Sequence, residues 1–318
     1  MRRMTRASKS QFDVRQIPGG TQDQLRALHR VMDLNPPAGG TPAPPVQQML
    51  ATAQKGTNSL ELLFGAYDED RLVAAVLGMV CEGATALVLL SSELEHPEAY
   101  HGTLAALRRL VEASRLRSIS LLEVLTAPGA GTQASVLHKG GFRLLTRLRY
   151  LRQTVALAPD TPRNSPDLEW VPFSPAVQPL FERTLELTYA QTHDCPELSG
   201  VRTTSDVLAG HRTTGVFDPA LWWVATRDQE PVGVLLLSRL PSLPALEIVY
   251  MGVAQPVRGQ GVAHALLRRA FDAAGNDGAK ELTLAVDERN APARHLYARW
   301  GFTEFGRRDA WIASLGPV

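Results

Sequence analysis

Cysteine is scarce. The 318 residues hold two, Cys81 and Cys195, with no CxxC pair and no histidine at metal-ligand spacing. That excludes a disulfide-stapled scaffold, leaves no metal site to expect, and suits a reducing compartment such as the cytoplasm. Long apolar runs are missing too. The longest, residues 72–81, is about half of what a bilayer crossing needs and follows Asp70 and Arg71, so no membrane span is expected. The basic start, residues 1–10, leads into Gln11, Phe12 and Asp13 rather than an apolar stretch, and reads as a tail instead of an export signal. Charge of one sign is lacking as well. A net charge of +1 without a dense Lys/Arg block gives no electrostatic footprint for nucleic acid, which leaves a small or peptide-like partner.

What is present is an ordinary globular composition, 44% hydrophobic and 20% charged. The length exceeds one domain of roughly 150 residues and points to two. Self-similarity supports this. Gly141-Phe142 matches Gly301-Phe302 at a shift of 301 − 141 = 160 residues. The same shift places Ala105, Leu107, Arg108 and Arg109 on Ala265, Leu267, Arg268 and Arg269, Asp68 on Asp228, and the apolar run 72–77 on 232–237. Turn, strand, helix and closing Gly-Phe in one register indicate a duplicated fold. Pro159, Pro162 and Pro166 interrupt the chain among Asp, Thr, Asn and Ser, so 158–166 reads as a linker between copies 1–157 and 167–318.

Each copy opens with an extended segment, 12–17 and 168–173, followed by a helical pattern. In the second copy, 221–226 and 232–238 read as strands around the turn 228–230, and 246–253 as a third neighbour. Ala263, Leu266, Leu267, Ala270, Phe271 and Ala274 then follow helical spacing, with Gly275 and Gly278 expected to stop the helix. Strand 282–286, helix 291–300 and a last extended segment 302–312 complete a mixed α/β layer with a mostly antiparallel sheet.

The most informative stretch runs from Val253 through Arg258-Gly259-Gln260-Gly261-Val262-Ala263 into that helix. Glycines let backbone approach an anion closely, and the first amides of a helix point at it with the positive end of the dipole, so the loop suits a phosphate. Arg258 adds a charged side chain for the same anion. The plainer reading is a tight strand-to-helix turn. It is not a Walker loop, because no Lys-Ser/Thr follows, and it lacks the dinucleotide glycine pattern.

Arg258-x-x-Gly261-x-Ala263 resembles the Arg/Gln-x-x-Gly-x-Gly/Ala signature of the GNAT acetyltransferases, and the likeness continues through Asn290, Ala293, Leu296, Tyr297, Gly301 and Phe302. The resemblance implies two tandem GNAT domains that use acetyl-CoA without a metal, with 258–263 holding the pyrophosphate. It also implies that the backbone of Met251, Gly252 and Val253 pairs with the pantetheine arm. Asn290 is expected chiefly to cap the next helix, with any cofactor contact secondary. Tyr297 stands where the family has its general acid. Glu247 lies six residues before Val253 in an otherwise apolar strand, where histone acetyltransferases of the family and mycothiol synthase carry a glutamate, and it is the candidate base. In a regular strand Glu247 and Val253 share a face, unless a bulge near Gly252 breaks the parity.

The polar loop 192–197 lies in the region that shapes substrate choice in the family. His193, Asp194, Glu197 and Arg202 are candidate contacts for an amine acceptor, small-molecule or peptide, beside the plainer reading of a solvated loop. Nothing near Cys195 in sequence supplies a base that would make it a nucleophile. The two-copy layout and length resemble mycothiol synthase, although the first copy departs from it at the glycine loop. Shifted by 160, Arg258 falls on Glu98, Gly261 on His101, Ala263 on Thr103, Glu247 on Leu87 and Tyr297 on Leu137. The first copy is therefore expected to be structural, with one coenzyme A per chain and a monomer or homodimer overall. Competing readings are a non-catalytic acyl-CoA-binding scaffold and a protein lysine or N-terminal acetyltransferase.

Overall fold

The computed structural model describes residues 12–34, 43–54, 60–157, 166–241 and 243–316. The expected linker lies almost wholly outside them. In chain order the first half gives β1 (Asp13–Gln16), α1 (Gln22–Val31), α2 (Pro44–Gln54), β2 (Leu62–Asp68), β3 (Arg71–Cys81), β4 (Thr85–Leu90), α3 (Pro97–Arg115), β5 (Leu121–Thr126), α4 (Gly131–Lys139) and β6 (Arg143–Thr154). The second repeats the order with β7 (Glu169–Pro172), α5 (Gln178–Tyr189), α6 (Thr204–Arg212), β8 (Trp222–Arg227), β9 (Glu230–Arg239), β10 (Ala245–Val253), α7 (Val262–Asp277), β11 (Glu281–Asp287), α8 (Ala291–Arg299) and β12 (Thr303–Ser314).

Local chemistry sets many of these limits. Thr21 caps α1 by accepting from the Gln24 amide, and Thr203 caps α6 from Asp206. Asp228 and Gln229 both take positive φ in the two-residue turn between β8 and β9, whose twist suits a tight hairpin. The expected stop at Gly275 does not occur. The helix runs through it to Asp277 and ends on left-handed Gly278, because amides at its end close back onto Ala274 and Gly275.

All strands join one sheet in the order β1-β2-β3-β4-β5-β12-β6-β11-β10-β9-β8-β7. The two halves exchange their last strands. β12, from the second half, pairs antiparallel with β5, while β6, from the first, pairs with β11, and β6 and β12 pair with each other at the centre. Among the described residues, only β4–β5 and β10–β11 are parallel.

Alternating side chains separate two faces. Leu62, Phe64 and Ala66 pack with Ala106, Leu107 and Leu110 of α3, whereas Leu63 and Tyr67 pack with Ala27 and Leu28 of α1. Here the face bearing α1 and α5 is the front, and that bearing α3 and α7 the back. The segment between α5 and α6 crosses the front as a strap, seating Cys195, Leu198 and Val201 on Leu121, Leu145 and Ile312. Arg202 ties it to the first half through the Gly83 carbonyl at 3.2 Å and the Thr85 hydroxyl at 2.7 Å.

Candidate active site at the fork between β10 and β11

β10 and β11 are paired only from Ala245 to Ile248 and from Glu281 to Leu284. β10 then continues to Val253 and β11 to Asp287 without pairing to each other, so a fork opens between them. The cause is visible in register: Glu247 opposes Ser238 and Ile248 opposes Leu237, but Tyr250 opposes Leu236, leaving Val249 as a bulge. This corrects the expected parity. Gly252 faces α5, where a Cβ would lie 2.8 Å from Thr188, and Val253 pairs with Gly233, whose Cβ direction meets Leu266 of α7. The bulge therefore leaves Glu247, Tyr250 and Gly252 on the front and turns Val253 to the back. Past the fork, Met251 and Val253 keep one backbone edge free of a neighbouring strand.

The loop beyond β10 forms a short 3-10 turn, Gln255–Val257, and Gly259 and Gly261 follow with φ of 79° and 87°. Among the described residues, the N–H groups of Gly259, Gly261, Val262 and Ala263 have no acceptor, and no side chain caps α7. A helix mouth with free amides and no Cβ at its left-handed entrance is a seat for a phosphate group. Gln260 braces the loop, its amide bonding the Pro256 carbonyl at 3.2 Å while its oxygen accepts from Arg227 at 3.0 Å.

Arg258 does not supply the expected charge to that seat. Its guanidinium donates to the carbonyls of Val253, Thr188, Ala190 and Gln191, at 2.9 to 3.2 Å. Three of these four bonds close the C-terminal end of α5, where carbonyls lack helical partners, and the fourth holds the end of β10. The side chain anchors α5 to the loop, which leaves the backbone N–H groups as the loop's open donors.

Tyr297 projects from α8 and is almost wholly buried, its ring packed edge-on to Phe302 at 5.5 Å. Its hydroxyl has no hydrogen bond among the described residues. Burial, and after it the charge of Asp194, pushes its pKa upward. Glu247 stands on the front at the last paired rungs before the fork, and burial raises its carboxyl above the usual range. Beside it, Tyr250 donates to or accepts from Thr188 at 2.7 Å, and the His211 ring lies 5.5 Å from the Tyr250 ring. Asn290 caps α8 by accepting from the Ala293 amide at 3.2 Å.

The four acceptor candidates fare differently. His193 is exposed on the strap. Asp194 is exposed as a residue, yet protein packed round its carboxyl, with Asp287 next, pushes its pKa up. Glu197 is not free for a substrate, because Arg289 grips it in a bidentate ion pair at 2.6 and 3.0 Å. Arg202 is committed in part to the Gly83–Thr85 turn.

Sequence reading missed the group that holds the strap. Asp287 is completely buried and accepts from the Thr146 hydroxyl at 2.6 Å, the Cys195 amide at 3.2 Å and the Arg289 side chain at 2.7 Å. Its burial opposes ionisation, but the bonds from Arg289 and Thr146 prevail and hold its pKa below the usual range. Asp194, Cys195 and Asp287 bring ligand-type atoms within 4.8 Å of one another. The Asp287 oxygens are already engaged by protein donors, so the cluster serves as the strap's anchor. Burial and these carboxylates push the Cys195 thiol far up, away from the reactive thiolate. No aspartate at a strand end announces such a role without the fold around it.

Residues 186–302 match the acetyltransferase (GNAT) family. Two curated relatives overlap the chain in part. The uncharacterized N-acetyltransferase YycN of Bacillus subtilis (strain 168) is 35% identical over 86 residues, 26% of this chain and 55% of that protein. Streptothricin acetyltransferase of Streptomyces lavendulae is 44% identical over 65 residues, 20% of this chain and 34% of its own. The chain thus spans about half the length of the first and a third of the second. Solved structures agree over nearly the full length. A GCN5-related N-acetyltransferase from Sphaerobacter thermophilus superposes with TM-score 0.62 at 17% identity, covering 96% of both chains. A tandem GNAT protein from the clavulanic acid biosynthesis pathway gives 0.52 at 15%, covering 96% of this chain and 99% of the other. The second half of the chain carries a GNAT acetyltransferase-family domain. The molecule as a whole has the tandem GNAT fold.

Proposed function

We propose that the protein is an N-acetyltransferase moving an acetyl group from acetyl-CoA to a primary amine, with its single working site at the fork of the second half. The observation that carries this reading is the set of four N–H groups without an acceptor among the described residues at the mouth of α7, beside the point where β10 and β11 part and Glu247 stands on the front face. The residues present fit the cofactor: free N–H groups for the diphosphate, and a free edge of β10 for an amide-bearing arm.

Acetyl-CoA supplies an activated acetyl group as a thioester. Glu247, kept less acidic than a solvated glutamate by burial, takes the proton that an ammonium must lose before its nitrogen can attack. Tyr297, kept protonated by burial, holds the proton that the departing thiolate needs. The nitrogen–carbon bond forms as the carbon–sulfur bond breaks, and the two protons balance the exchange. The Val253 amide is the candidate donor to the thioester oxygen.

Among the described residues, the first half has no equivalent seat. Positions 99–103, which correspond to Gly259 through Ala263, lie inside α3, which begins at Pro97, and Glu98 is paired with Arg71 at 2.7 Å. Leu137 replaces Tyr297 and is fully buried in the core. We assign residues 1–157 a structural role, with 158–166 as the join to the catalytic copy 167–318.

Replacing Tyr297 by Phe should leave coenzyme A binding nearly intact while slowing acetyl transfer by a factor of roughly 10²–10⁴. Glu247→Gln should slow transfer similarly and remove the acidic limb of the pH profile. An unchanged rate in Tyr297→Phe would withdraw the general-acid role.

A further inference from the structure

Ala285 is exposed although it sits on β11, one of the central strands of a twelve-stranded sheet. The rungs around it define a front-face groove. Glu247 pairs with Thr283, Ala285 with Tyr150, and Asp287 with Leu148, while across β6 Tyr150 pairs with Gly306 and Leu148 with Arg308. Partners across a ladder point to the same face, so Glu247, Ala285, Tyr150 and Arg308 line one side of the sheet. A bulge between Glu304 and Gly306 sets Phe305 beside Tyr150, ring centres 6.1 Å apart, and leaves it 51% exposed. The groove therefore crosses the exchanged strands, and its floor comes from both halves of the chain.

Charge gives the groove two ends. Glu247 marks one. At the other, Arg308 is exposed and its one hydrogen bond among the described residues is to the neighbouring Arg307 carbonyl. Arg147, Arg149, Arg152 and Arg307, on the same two strands, each face a carboxylate within 4 Å, whereas Arg308 has none among the described residues. The Tyr150 hydroxyl lies between the ends and feels both, its pKa raised by burial, eased by Arg308 and raised again by Glu247.

Spacing then limits the ligand. Three strand intervals and about four rungs separate the backbones of Glu247 and Arg308, roughly 20 Å, of which the two side chains cover about half. A free α-amino acid is too short to touch both ends. An extended chain of about three residues, at ~3.4 Å each, fits.

We propose that the acceptor is an elongated, peptide-like amine lying across β11 and β6, its amine at Glu247, its distal carboxylate on Arg308, and its middle on Tyr150 and Phe305. This rests on the N-acetyltransferase reading for the role of Glu247, but its binding consequences can be measured without turnover.

The test compares the tripeptide Ala-Phe-Ala with its C-terminal amide, by calorimetry on the full chain and by acetyl transfer from acetyl-CoA. The acid form should bind the wild type about tenfold or more tightly than the amide, as a charge-assisted contact implies. Arg308→Gln, with its melting temperature as the check on folding, should bring the two to parity and raise KM for the acid form by a similar factor. Phenylalanine alone should show no dependence on Arg308. Equal binding of acid and amide, no binding of either, or a preference that survives Arg308→Gln would overturn the proposal. A carboxylate preference without any acetyl transfer would uphold the groove and contradict the catalytic reading instead.

Discussion

His211 is held neutral by its surroundings. It is packed against the Tyr250 ring with its Nε2 buried and without a partner among the described residues, and burial, followed by the nearby charge of Arg202, lowers its pKa to about 4. A histidine whose pKa is depressed on folding contributes stability that is present above the unfolded value, about 6.5, and is lost as pH falls toward the folded one. The melting temperature should therefore fall more steeply between pH 6.5 and 4 in the wild type than in His211→Gln, which has no proton to gain. Identical pH dependence in the two proteins would mean that His211 does not carry this cost. Residue types were legible here only in part. Glu247 and Tyr297 stand out in sequence because an acid in an apolar strand and a tyrosine in a known motif are unusual. Arg258 misleads because a guanidinium near a phosphate loop suggests an anion contact, whereas the folded chain spends its donors on the carbonyls at the end of α5. Glu197 misleads likewise, since its partner Arg289 is 92 residues away in sequence.

At the scale of elements, the same strand-to-helix connection is built in two ways. In the second half the helix begins after left-handed Gly261, leaving amides open; in the first, α3 starts at Pro97, so the corresponding residues already belong to a helix. A 160-residue shift predicts β5, α4 and β6 from β11, α8 and β12 with no error at their first residues, since apolar periodicity and the Gly-Phe junction are kept in both halves. It does not predict the earlier start of α3, because loss of the glycines changes which residues can enter the helix. The bulge at Val249, which sets the fork, has no signature in an apolar strand. Gly261→Ala should weaken coenzyme A binding by about tenfold or more while leaving the fold intact. A Cβ at a left-handed position costs roughly 1–2 kcal/mol and stands at the anion seat. Undiminished affinity measured by calorimetry would show that the seat does not depend on that conformation.

Across the whole molecule, duplication was readable from the sequence but strand exchange was not. Pairing partners far apart in sequence, such as Glu281 with Thr154 and Thr303 with Arg152, leave no local pattern, and β6 looks like the closing strand of its own copy until β11 and β12 are seen on either side of it. The exchange has a mechanical consequence. Residues 1–157 and 167–318 produced separately should each leave central strand edges uncovered and aggregate, while co-expression should restore a soluble pair. Two independently soluble, monomeric fragments would show that the exchange is dispensable. Among the described residues no helix is long and apolar enough to cross a membrane. The two halves thus share a sheet while differing in whether the helix mouth is open. Titration calorimetry of coenzyme A into the full chain tests this directly. One molecule bound per chain, abolished or strongly weakened by Gly261→Ala and unaffected by Glu98→Ala, is the predicted result; two equivalent sites, or binding indifferent to Gly261, would contradict it.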